Sequence, residues 1–112
     1  MKTFKEELTI EADNNLSNID ISEEIKIIKR RMKEYVDYRK YTINLIKNHG
    51  TMVIGGQTTN IKDIFIPKLI SPLDYRQLFI NELVKLGFAE EDMILSVNNY
   101  DNYDCYSIKV VW

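Results

Sequence analysis

Between Ser22 and Asn48 the apolar residues return at a helical spacing. Ile25, Ile28, Met32, Tyr35, Val36, Ile43 and Ile46 fall within about a third of the circumference at ~100° per residue. Asp20 or Ser22 suits the cap, and Glu23 and Glu24 sit in the first turn, where the helix dipole favours acids. Gly50 suits the left-handed residue that ends a helix. The pattern predicts one dominant helix over 22–48, about 40 Å long at ~1.5 Å per residue.

After it the period changes. Thr51–Ile54 and Ile61–Ile66 are rich in β-formers and flank the turn chemistry of "GGQTTN", which predicts a hairpin, with Pro67 ending its second strand. "SPLDYRQLFINELVKLGF" then carries a full set of helix signals. Ser71 is placed to cap, Pro72 to open the first turn and Asp74 to complete a capping box. Tyr75, Phe79, Leu83 and Leu86 form the stripe, and Gly87 with Phe88 predicts a Schellman end. The last strands are "DMILSV" and "CYSIKVVW"; in the second, Tyr106, Ile108, Val110 and Trp112 alternate with Cys105, Ser107, Lys109 and Val111. "NNYDNYD" between them reads as a seven-residue hairpin loop, because Asn and Asp tolerate left-handed backbone and bond their own main chain.

Residues 1–21 show no clear period. Phe4, Leu8 and Ile10 suggest a short element near 3–10, and "EADNNLSN" reads as turn or irregular chain. The expected fold is therefore α+β, a single domain over 1–112. Its order is helix–hairpin–helix–hairpin, with an antiparallel sheet of about four strands packed against two helices.

Composition narrows the class. A chain of 112 residues, close to half apolar and more than a quarter charged, is an ordinary globular mixture with room for one core. One cysteine, Cys105, cannot close an internal disulfide. The first residues place charges where a signal peptide has its apolar run, and no stretch of ~18 apolar residues occurs, so a cytoplasmic protein is expected. The net charge of −2 hides an uneven distribution. Residues 1–21 hold two lysines against five acids, residues 22–48 eight cations against four acids, and residues 82–104 Lys85 against six acids. A basic middle between acidic flanks offers two faces of opposite sign to a partner.

Candidate chemistry is thin. Asp101 and Asp104 carry hard oxygens, but an EF-hand loop needs alternating ligands, a central Gly and a closing Glu, so no metal is expected. Tyr100 and Tyr103 beside them suit protein contact, since exposed tyrosines give large area at low entropic cost. Lys26, Lys29, Lys33 and Lys40, with Lys47, line one edge of the expected long helix, where a phosphate backbone could run; a solvated face laced with ion pairs is the plainer reading. Arg39 falls in the middle of that helix's apolar stripe, with its stem along the core and its head in water, or paired with Asp101, Asp104 or Glu82. His49 stands at a predicted helix end, a place cations favour, and no nucleophile elbow or phosphate-binding glycine loop occurs. No catalytic residues and no cofactor are expected.

The sequence thus points to a non-enzymatic protein-binding module using Tyr100, Asp101, Tyr103 and Asp104. An inhibitor or adaptor of the anti-defence type fits, since a small domain rich in Ile, Lys, Asn and Tyr suits a phage or mobile element. The alternative is a nucleic-acid-binding regulator using Lys26, Lys29, Lys33 and Lys40. A homodimer through the long helix is a further expectation.

Overall fold

The computed structural model describes residues 1–48, 51–55, 60–65 and 71–112. Helix α1 spans Phe4–Ser17 and α2 spans Ser22–Glu34, followed by a single 3-10 turn at Val36–Tyr38. Strands β1 (Lys40–Asn48), β2 (Thr51–Gly55) and β3 (Asn60–Phe65) come next, then α3 (Pro72–Lys85), a second 3-10 turn at Glu90–Asp92, β4 (Met93–Asn99) and β5 (Asp104–Val111). The five strands form one antiparallel sheet in the order β3-β2-β1-β5-β4. The fold is α+β, but the expected helix–hairpin–helix–hairpin order gives way to two helices, a three-strand meander, a helix and a hairpin.

The main correction concerns residues 22–48. The helix stops at Glu34, and its expected second half is β1, the central strand. Tyr35, Val36 and Tyr38 are weak helix formers, and the chain turns there through Arg39, whose φ of 58° and ψ of 24° lie in the left-handed region. From Lys40 the burial alternates: Tyr41, Ile43 and Leu45 are buried, while Thr42, Asn44 and Ile46 are half-buried on the other side. Arg39 is therefore exposed at a reversal of the chain; it belongs to no apolar helix stripe. A homodimer through a long helix has no such helix to use.

The core lies between the buried face of the sheet and α2 and α3. Tyr41 stands opposite Val110 and Ile43 opposite Ile108, all buried. Upon them pack Ile25, Ile28 and Met32 of α2 and Tyr75, Phe79, Ile80 and Leu83 of α3. The predicted Leu86 instead faces solvent. At the end of α3, Phe88 N–H donates to Leu83 O at 3.1 Å and Gly87 N–H to Val84 O at 3.0 Å, with Gly87 at φ 105°. These two bonds are the expected Schellman closure. At the start, Pro72 sits as predicted, but the Ser71 hydroxyl makes no capping bond, so the capping box does not form. The hairpin of β2 and β3 has the predicted pairing; its turn and Pro67 lie outside the described residues.

Helix α1 is longer than the expected short element, running through "EADNN" to Ser17, and it buries no residue. Thr3 Oγ1 caps it, accepting from Glu6 N–H at 3.2 Å. The radius of gyration is 15.1 Å over extents of 55 × 33 × 23 Å. A compact chain of this length has a radius of about 13 Å.

The backbone of β5 serves two neighbours. Trp112 N–H donates to Arg39 O at 2.9 Å, in the register that sets Lys40 against Val111. Bonded pairs alternate along an antiparallel ladder, so the even-numbered residues of β5 turn their peptide groups to β1. At the other end Tyr100 N–H donates to Tyr103 O at 2.8 Å, continuing the register that sets Asn99 against Asp104. Odd-numbered residues of β5 therefore bond β4, through Ile94, Ser96 and Asn98. Among the described residues no strand pairs with the other side of β4, so the peptide groups of Met93, Leu95, Val97 and Asn99 face an open edge of the sheet.

Two stability measurements test this layout. Phe79→Ala removes a fully buried ring and is expected to cost about 3–5 kcal/mol in chemical denaturation, whereas Phe4→Ala, on an exposed side chain, changes stability by less than about 0.5 kcal/mol. Arg39→Gly relieves a left-handed residue and is expected to raise stability by about 0.5–1 kcal/mol; a similar loss would be the mark of a helix interior.

Candidate functional site

The hairpin joining β4 and β5 is tighter than its sequence suggests. Asn98 and Asn99 belong to β4 and Asp104 opens β5, so the turn shrinks from seven residues to the four at 100–103. This closure follows from the ladder, whose last bond is the one from Tyr100 N–H to Tyr103 O. It brings the two tyrosine rings together: their centroids are 4.7 Å apart and their planes 26° from parallel, a stacked pair. Both rings face solvent, Tyr100 at 53% and Tyr103 at 39% exposure. Asp101 is exposed beside them, while Asp104 is half-buried and stands opposite Lys47 in the register. The four predicted contact residues are thus neighbours, with Asp104 drawn into the sheet.

The lysine row does not survive as one line. Lys26, Lys29 and Lys33 are exposed on α2, along the flank of its buried Ile25, Ile28 and Met32. Lys40 opens β1, beyond the 3-10 turn and the reversal at Arg39. Lys47 lies near the other end of the same strand and is half-buried.

Chemistry-bearing groups elsewhere are tied into the fold. On the sheet face away from the helices, Ser107 Oγ donates to Asn44 Oδ1 at 2.9 Å, and Cys105 Sγ lies 3.5 Å from Ser107 Oγ and 3.8 Å from Asn44 Oδ1. His49 is outside the described residues, so its distance from Cys105 or from the aspartates is not part of this geometry. Among the described residues, no three of His, Cys, Asp and Glu converge as a metal site would require. No helix among them is long and apolar enough to cross a membrane.

Two features escape sequence reasoning. Glu24, expected as an ordinary first-turn acid, is 2% exposed within the core. The second is a groove of about 310 Å³ between α3 and β4, lined by Gln77, Ile80, Glu90, Met93 and Leu95. The same two elements are tied by Arg76, whose Nη1 donates to Ser96 O at 3.1 Å. A run such as "MILSVNN" signals a strand, but only the strand order reveals that it is an uncovered edge.

No family model, curated protein or solved structure matches this chain.

The buried phenols give a pH test. Burial, and to a lesser degree the Glu24 carboxylate, push the Tyr75 phenol well above its ordinary value. Burial also raises Tyr41, partly offset by Arg31. A phenol whose proton is held more tightly folded than unfolded favours the native state up to the unfolded pKa near ~10, and that contribution is lost as pH climbs through the folded value. Alkaline unfolding is therefore expected above about pH 10, and Tyr75→Phe should move its midpoint upward, as followed by ultraviolet titration of tyrosinate.

Proposed function

We propose that this chain is a small non-enzymatic protein-binding module that presents the Tyr100–Asp104 turn to its partner. The observation that supports it is the stacked, solvent-facing pair of Tyr100 and Tyr103 at the tip of a two-stranded ladder. Rings already held against each other lose little freedom on docking, so more of their contact energy reaches affinity. Asp101 and Asp104 add negative charge, which selects a basic partner face and speeds encounter. An inhibitor or adaptor acting in the cytoplasm, of the anti-defence type carried by phages and mobile elements, agrees with the chain's size and its Ile-, Lys-, Asn- and Tyr-rich composition.

The nucleic-acid reading keeps Lys26, Lys29 and Lys33 on one helix face but loses the continuous row, because Lys40 lies past a reversal of the chain. The partner should be recovered by pull-down from host lysate, identified by mass spectrometry, and be insensitive to nuclease. With that partner, Tyr100→Ala combined with Tyr103→Ala is expected to weaken affinity by more than ~2 kcal/mol while the melting temperature barely moves. Unchanged affinity would remove the turn from the interface.

A further inference from the structure

We infer that the open edge of β4 is a strand-addition site, which takes an extended partner segment with basic ends and apolar residues at alternate positions. This rests on the reading of the chain as a protein-binding module and names the form in which a partner would be recognised.

Three observations lead there. First, the peptide groups of Met93, Leu95, Val97 and Asn99 face outward, as the register fixed at Arg39–Trp112 and Tyr100–Tyr103 requires. An antiparallel segment laid beside β4 can exchange hydrogen bonds with each of these residues. Second, this edge lacks the usual protection. Edge strands are commonly blunted by lysine, proline or a bulge. Residues 93–99 contain neither lysine nor proline, and their pairing with β5 runs without a register shift. Third, the side chains that accompany the outward peptide groups lie on the α3 side of the sheet. Met93 is half-buried against the core, and Leu95 and Val97 are 46% and 45% exposed. Residues of an added strand that bond to Met93 and Leu95 would point their side chains to this same side, over the groove of about 310 Å³ that these two residues line.

Charge chooses the occupant. Glu90, Glu91 and Asp92 precede the strand and Asp101 and Asp104 follow it. Arg76 brings one positive charge to β4, but at its middle, where Nη1 donates to Ser96 O, and leaves both ends to the acids. A second copy pairing edge to edge in antiparallel fashion would set the acids at 90–92 of one chain beside those at 101–104 of the other. Like charges so placed disfavour self-association. A strand with cations at both ends meets opposite charge at both ends of β4.

The probe is a capped peptide, Lys-Val-Thr-Val-Thr-Val-Lys, titrated into the full chain and followed by amide NMR shifts. Strand addition predicts shifts concentrated on residues 93–99 and on the facing side of α3. It also predicts affinity reduced roughly tenfold or more when the lysines are replaced by glutamate, and binding lost when the three valines are N-methylated. Val97→Pro deletes one outward donor and leaves the bonds of Ile94, Ser96 and Asn98 to β5 in place, so it should abolish peptide binding with an unchanged melting curve. Should that variant fail to fold, the N-methylated peptide on the wild-type chain carries the test. The inference is overturned by absence of binding, by equal binding of the N-methylated peptide, by shifts centred on α2 or on the turn, or by a dimer in sedimentation that Val97→Pro dissociates. Tyr100→Ala with Tyr103→Ala should leave peptide binding intact. Loss of the cellular partner in that variant, with no peptide binding to β4 in the wild type, would reject strand addition alone; peptide binding with partner affinity unchanged in that variant would reject the turn alone.

Discussion

The pairing of β1 with β5 is what the rest of the structure depends on. It joins a strand that follows two helices to the last strand of the chain, and it aligns Tyr41, Ile43 and Leu45 with Val110, Ile108 and Tyr106 on one face. Each fully buried aliphatic side chain there is worth roughly 1.5–3 kcal/mol, and α2 and α3 have that face to lie on only while the two strands are joined. The chain accepts a left-handed residue at Arg39 to bring β1 into place, at a cost of about 1–2 kcal/mol. Trp112 secures the same corner twice, through its backbone N–H to Arg39 O and through Nε1–H to Val36 O at 3.1 Å.

How much of this was readable in the sequence depended on how local the decisive interaction is. Helix α3 was readable because Pro72, its apolar stripe, Gly87 and Phe88 act within a few residues of one another, and the Schellman bonds confirm them. The β2–β3 pairing was readable for the same reason. Residues 22–48 misled because two periods coexist there. Val36, Ile43 and Ile46 happen to continue the stripe begun by Ile25, Ile28 and Met32, while Tyr41, Ile43 and Leu45 also alternate as a strand. The arbiter is β5, some sixty positions away in register, which no local window contains. Helix α1 was missed for the opposite reason: it has no buried face to produce a period, and little beyond the Thr3 cap marks its start.

The candidate site divides in the same way. That "NNYDNYD" turns the chain follows from Asn and Asp chemistry, but the stacking of Tyr100 on Tyr103 depends on a ladder that runs to the very last pair. The groove beside β4 is a product of strand order and of where α3 rests, neither of which one strand's composition encodes. The two features share a hairpin: the stacked rings stand at its tip and the uncovered peptide groups along its outer arm. A partner engaging both would meet a continuous surface, with acids at either end and apolar side chains between.

The two-sided role of β5 has a consequence for how the chain can vary. Each residue of this strand is committed twice, by parity to one neighbouring strand and by the same parity to one face of the sheet. Inserting or deleting one residue near Ile108 would hand half the strand's peptide groups to the wrong neighbour and turn its buried side chains out to water in the same stroke. Length changes should therefore be confined to the chain outside this ribbon, and β5 can drift in side-chain identity while its count of residues stays frozen.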